Sequence, residues 1–261
     1  MLYNDELYEY SEEFDVEFFG KDTENHMGVE LEVDTEDGTE WENAYDLVTL
    51  LSRVSDMHIC KEDGSLREGG VEIVTYPCTL DYHLEKFPWE DIVRVCRNEG
   101  YLSDQAGTCG LHVHVDRSYF HNDEQATVRI MYLFSKFKEQ FVNFARRTSY
   151  QLTDWAYIYD NINLDEESET YSNIIASRYR AINACNYETL EFRLWKGSLN
   201  LETLYATLEM TQILCDIVND LTTEEIKALT WEDICNEGKE YEDLNNYLKR
   251  RGLRKEEAQC A

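Results

Sequence analysis

A chain of 261 residues, 43% apolar and 13% aromatic, can bury a sizeable core as one large domain or two small ones. Its 54 acidic against 24 basic residues give a formal net charge of -30, which argues against a nucleic-acid backbone or an anionic membrane as partner and suits divalent cations. No stretch reaches the roughly 18 apolar residues of a membrane span.

The acidic excess is concentrated at the start, where Met1–Asp46 holds 17 acidic residues and one basic residue, Lys21. Residues 1–25 read as an acidic, partly mobile extension. Residues 26–220 read as the main domain, and residues 221–261 as a C-terminal helical segment packed on it. The first regular element is GVELEVD, Gly28–Asp34. Val29, Leu31 and Val33 alternate with Glu30, Glu32 and Asp34, the period of a half-buried strand. A turn at Asp37-Gly38-Thr39 leads into a helix over Trp41–Val54, with Ala44, Leu47, Val48 and Leu51 on one stripe. KEDGSLREGG follows, with a tight turn at Asp63-Gly64. Asp63 stands near the start of the next strand, where it either binds substrate or metal or serves as a plain turn residue. That strand, Gly70–Tyr76, carries Glu72 on the face of Val74 and Tyr76. A weaker helical pattern spans Leu84–Asn98, with Pro88 near its start.

GLHVHVD, Gly110–Asp116, sets Leu111, Val113 and Val115 opposite His112, His114 and Asp116. Asp123–Arg147 predicts one long amphipathic helix lined by Ala126, Ile130, Leu133, Phe134, Phe137, Phe141 and Phe144. Tyr150–Tyr171 is polar and aromatic without a clear period and reads as a loop or insertion. Arg178 and Arg180 share a face if ASRYRAINA is extended. TLEFRLW, Thr189–Trp195, opposes Leu190, Phe192 and Leu194 to Glu191 and Arg193. A helix over Leu201–Asn219 follows, capped by Ser198 or Asn200. Thr222–Gly252 reads as two short helices around a turn at Leu229–Trp231, and the tail RKEEAQCA frays. This order predicts an α+β fold, a mostly antiparallel sheet with helices on one face.

Solvent-facing strands ordinarily carry Thr, Lys, Ser and Gln; these carry metal-ligand residue types and an arginine. Glu30 and Glu32, two apart on a strand, leave the same face and repel unless a cation lies between them. Oxygen-rich sites favour Mg²⁺ or Mn²⁺ over zinc. Glu72 and Glu191 would add oxygens, and His112 a nitrogen that Mn²⁺ accepts more readily. Paired histidines also occur in zinc hydrolases, where they open the chain and more histidines follow; here only His121 follows. Arg178, Arg180 and Arg193 suit carboxylate and phosphoryl oxygens, and beside a metal cluster they point to a bound polyanion. Their ordinary role is ion pairing with nearby carboxylates.

The eight cysteines include no CxxC pair and follow no signal-peptide pattern, so reduced, mostly buried thiols and a cytoplasmic location are expected. Cys109 is an odd number of residues from His112 and so points to the opposite strand face, away from a nucleophile's place. Gly107–Gly110 precedes a strand rather than a helix, which sets aside a phosphate-cradling loop.

Taken in order, GVELEVD, EDGSLREGGVEIVTYP, CGLHVHVD and RYRAINACNYETLEFRLWKGSLN resemble the amidoligase family, relatives of glutamine synthetase and glutamate–cysteine ligase. The matching blocks run from about residue 27 to 200. The resemblance implies a curved antiparallel sheet like the glutamine synthetase catalytic domain, holding ATP and Mg²⁺ or Mn²⁺, and ATP-dependent amide formation through an acyl phosphate. It implies that Glu30, Glu32, Glu72, His112 and Glu191 hold the metals and that His114 lies near the nucleotide phosphates. Arg178, Arg180 and Arg193 would bind phosphate and the substrate carboxylate. Asp63 and Asp116 are candidate bases. The partners implied are small-molecule or peptide carboxylates and an amine, without nucleic acid or membrane; such ligases often form homo-oligomers. A phosphotransferase on the same fold and a catalytically silent metal- or nucleotide-binding protein are the alternatives.

Overall fold

The computed structural model describes residues 6–9, 15–36 and 41–254, with the side chains of 41–43 and 166–170 set aside. The turn expected at Asp37-Gly38-Thr39, the tail from Lys255 and parts of the acidic extension lie outside the described residues. The chain divides into two units, Met1–Asp116 with Lys196–Leu204, and Arg117–Trp195 with Tyr205–Ala261.

The first unit is built on strands β1 (Leu7–Tyr8), β2 (His26–Val33), β3 (His58–Lys61), β4 (Val71–Thr75), β5 (Cys78–Thr79) and β6 (Leu111–Asp116), with helices α1 (Trp41–Leu51), α2 (Leu80–Glu85) and α3 (Trp89–Asn98). The strands run in the order β1-β3-β4-β2-β6, with β5 also on β2. Every pair within this unit is antiparallel except β1 with β3. The alternation read from sequence sets which side chains are buried. Val29, Leu31 and Val33 of β2, Val71 and Ile73 of β4, and Leu111, Val113 and Val115 of β6 are fully buried, as are Ala44, Leu47, Val48 and Leu51 of α1. Burying each such side chain contributes roughly 1.5–3 kcal/mol against chain entropy.

Two features of this unit differ from expectation. Leu7–Tyr8, within the acidic extension, pairs with Cys60–Lys61. The helix expected over Leu84–Asn98 is two helices. Pro88 has no N–H to continue α2 and instead stands as the residue before α3. His83, within α2, is a core histidine. Trp89 Nε1 donates to its Nδ1 at 3.3 Å, and its Nε2 lies 2.8 Å from the Met27 carbonyl. Burial lowers its pKa to about 4.

The second unit holds α4 (Glu124–Lys136), α5 (Lys138–Ala145), α6 (Ser149–Trp155), α7 (Glu167–Ile174), the hairpin β7 (Ile182–Asn183) and β8 (Thr189–Phe192), most of α8 (Leu201–Asp220), then α9 (Thr223–Ala228), α10 (Trp231–Glu237) and α11 (Glu242–Arg250). The single helix expected over Asp123–Arg147 breaks at Phe137, which leaves helical geometry at φ -112° and ψ 36°. The break lets Phe134 and Phe141 meet edge to face at 4.8 Å while both reach the Trp195 ring, which Phe144 also touches at 5.4 Å. Tyr150–Tyr171, expected as a loop, contains α6 and the start of α7. Thr148 and Gln151 form a reciprocal cap that starts α6 despite the missing period. Thr222–Gly252 holds three helices rather than two. Among the described residues no helix is long and apolar enough to cross a membrane.

Candidate active site

Strand register brings the acidic and imidazole side chains of the first unit together. Glu30 stands opposite His112 on β6, Glu32 opposite Glu72 on β4, and Gly28 opposite His114. Side chains directly opposite on neighbouring strands share a face at contact distance. His112 Nδ1 lies 3.2 Å from Glu30 Oε2 and 3.8 Å from Glu32 Oε1, and His114 Nε2 lies 3.0 Å from Glu30 Oε1. Glu32, Glu72 and His112 are buried. Burial pushes the Glu30 carboxyl upward, but the charge of His114 and hydrogen bonds from His112 and His114 outweigh it and hold Glu30 well below the ordinary carboxylate range.

Asp63 enters the same neighbourhood from the turn after β3. Ligand atoms of Glu32, Asp63 and Glu72 lie within 4.8 Å of one another, as do those of Glu30, Glu72 and His112. The two triads share Glu72. An ion holding oxygens at about 2.1 Å sets neighbouring donors about 3 Å apart and opposite donors about 4.2 Å apart, so small side-chain rotations close either triad on a cation. One triad offers three carboxylates and the other two carboxylates and an imidazole, a donor set for a hard divalent ion. These residues therefore fit the metal the sequence implied.

One glycine shapes the face. The Gly110 amide donates to Glu32 Oε2, orienting one ligand while leaving Oε1 near His112. A Cβ at Gly110 would stand 2.6 Å from His112 Nε2, so only glycine lets the chain cross over that ring. Cys109 beside it is buried, and burial raises its thiol pKa, consistent with an inert core thiol.

In the second unit, Glu191 on β8 accepts from Asn183 Nδ2 at 2.6 Å and pairs through its other oxygen with Arg193 Nη1. Arg193 extends the β7–β8 ladder, its amide donating to the Ala181 carbonyl at 2.9 Å. Its Nε is buried and has no hydrogen-bond partner among the described residues, and the same holds for Arg180 Nε. The segment holding Arg178 and Arg180, which would set both on one face if extended, does not form a strand. Arg180 is a lone bridge residue beside Tyr157, and its guanidinium lies 4.7 Å from the Tyr159 ring centre and 5.3 Å from that of Tyr157. Arg178 stacks on Tyr179 at 5.1 Å. Aromatic faces thus lie against both guanidinium groups.

Sequence reasoning missed Arg147. It is buried, and its guanidinium donates to the carbonyls of Arg193, Leu194 and Trp195 at 2.8–3.0 Å, fixing the backbone from which Arg193 projects. Only an arginine at the end of an apolar helical stripe hinted at it.

The antiparallel sheet and its carboxylate–histidine face thus define a candidate cation-binding enzyme. Residues 12–215 match the family described as "Putative amidoligase enzyme", and the chain belongs to that amidoligase family. No curated protein matches it. Among solved structures it is similar to the complex between prokaryotic ubiquitin-like protein Pup and its ligase PafA, at 12% identity and a TM-score of 0.43 over 88% of this chain and 62% of that one. It is also similar to a bifunctional glutathione synthetase from Pasteurella multocida, at 11% identity and a TM-score of 0.43 over 88% of this chain and 46% of that one. The chain therefore spans less than two thirds of either neighbour's length.

Proposed function

We propose that the protein is an ATP-dependent carboxylate–amine ligase that forms an amide bond through an acyl phosphate, using Mg²⁺ or Mn²⁺. The observation that carries this reading is the pair of cation triads sharing Glu72, in a member of the amidoligase family. Glu30, Glu72 and His112 would hold one ion and Glu32, Asp63 and Glu72 the other; in the second unit, Asn183 and Arg193 hold the Glu191 carboxylate in orientation. These residues would hold divalent ions, which when bound would supply positive charge to offset the charge that develops during phosphoryl transfer.

A carboxylate is a poor electrophile, and an amine displaces phosphate from its acyl phosphate far more readily than oxide from the free acid. His114, beside Glu30, suits the nucleotide phosphates. Arg193 and Arg180, each with a buried Nε–H that has no partner among the described residues, suit the transferring phosphoryl group and the substrate carboxylate. Arg178 adds an exposed cation to the same task. The substrates proposed are amino-acid or peptide carboxylates with a small or peptide amine.

Hydroxylamine trapping tests this directly. Incubation with ATP, Mg²⁺, hydroxylamine and a panel of amino-acid and peptide carboxylates should release ADP and give a hydroxamate with at least one carboxylate. ADP formation without a hydroxamate would favour phosphoryl transfer to another acceptor. Absence of nucleotide binding at millimolar ATP would overturn both.

A further inference from the structure

The two triads differ in how they are held. Glu30, Glu72 and His112 all lie on paired strands, so the sheet itself fixes them. Asp63 lies on the turn between β3 and β4, outside the ladder, so the triad it completes depends on whatever holds that turn.

Asp34 holds it. This residue, immediately after β2, is fully buried. Its Oδ1 accepts from the Thr35 amide at 2.8 Å, and its Oδ2 accepts from Thr108 Oγ1 at 2.8 Å and from the Arg67 amide at 3.4 Å. Its backbone exchanges both hydrogen bonds with Leu102 at 2.9 Å. The Arg67 guanidinium then donates to the carbonyls of Thr35, Glu36 and Ala106. The end of β2, the segment 63–70 and the segment 102–110 are thus tied into one polar knot.

Each tied segment delivers something to the Glu32 triad. Within the Asp63 turn, Leu66 N donates to the Asp63 carbonyl at 3.1 Å and Ser65 N to Asp63 Oδ1 at 2.7 Å, while Gly70 N donates to the Arg67 carbonyl at 2.8 Å. A Cβ on Gly70 would stand 2.6 Å from Leu66 Cβ and 3.2 Å from Asp34 Oδ1, so the turn closes tightly against the knot. The segment with Thr108 carries Gly110, whose amide orients Glu32.

We infer that Asp34, Thr108 and Arg67 are positioning residues for the Glu32–Asp63–Glu72 cation position and are not needed by the Glu30–Glu72–His112 position. This rests on the two-cation reading of the face. Residues one step removed from a metal orient its ligands and commonly govern its affinity. Thr108 and Arg67 are exposed residues, so they can be replaced without opening the core.

The test is Mn²⁺ binding to the full chain, followed by electron paramagnetic resonance of the free ion. Wild-type protein should take up two ions. Thr108→Val and Arg67→Ala should keep one at wild-type affinity and bind the other about tenfold or more weakly. Thr108→Ser, which keeps the hydroxyl, should restore the second. Variants that bind both ions as wild type does, or that weaken both equally, overturn the inference. A wild-type chain that takes up fewer than two ions overturns the two-cation reading itself, so the two failures are distinct.

Discussion

Glu30 in the first unit and Glu209 in the second are both glutamates drawn largely out of water, and their neighbours drive them in opposite directions. Burial pushes Glu30 upward, yet two imidazoles more than offset it and keep the carboxylate charged. Among the described residues, Glu209 on α8 accepts from the Leu244 amide alone, at 2.8 Å at the start of α11. Burial therefore dominates and raises its pKa to about 7, with Asp243 nearby adding to the rise. A carboxylate among imidazoles and other carboxylates on a strand face is kept ionised and ready for a cation. A carboxylate alone beneath helices serves as a cap and keeps its proton near neutral pH. Buried acid alone does not mark a site; the company it keeps does.

The largest expected effect lies on the strand face. Glu32→Gln removes a charged ligand while keeping a hydrogen-bond acceptor for the Gly110 amide. It should lower ligase turnover at least about a hundredfold with an unchanged circular dichroism spectrum, a loss of the size that follows removal of a group stabilising transition-state charge. Wild-type turnover in this variant would break the contrast, because Glu32 would then be another structural acid.

A smaller effect is expected at Glu209 and concerns stability alone. Its carboxyl pKa is raised on folding, from 4.5 to about 7. Between those pH values the unfolded chain has given up a proton that the folded chain keeps. Stability contributed by this group is therefore present below about pH 4.5 and is lost as pH rises to about 7. Glu209→Gln, which cannot ionise, should gain about 1–3 kcal/mol over wild type at pH 8 and little at pH 4 in urea denaturation. An equal difference at both pH values would show that burial does not govern this carboxyl.

The strand face was legible because period-2 alternation sorts side chains without any knowledge of pairing. Glu30 and Glu32 had to leave one side of β2, and His112 and His114 one side of β6. Which residue meets which depends on register, so the pairing of Glu30 with His112 and of Glu32 with Glu72 needed the fold. The break at Phe137 was hidden because the residue there is neither glycine nor proline; it goes with the aromatic packing around Trp195. The α6 start was present as Thr148 and Gln151, but the aromatic run that follows masked the helical period. Arg67, Thr108 and Arg147 escaped notice for another reason. They bind mainly to backbone carbonyls or to an acid far away in sequence, and such partners leave no spacing to read.

Glu72 belongs to both triads, so it offers the most direct test of the central claim. Mn²⁺ titration of Glu72→Gln beside wild type and Glu209→Gln compares the shared ligand with the lone cap. Wild type and Glu209→Gln should take up two ions, and Glu72→Gln should weaken both. Undiminished binding of both ions by Glu72→Gln would contradict the account.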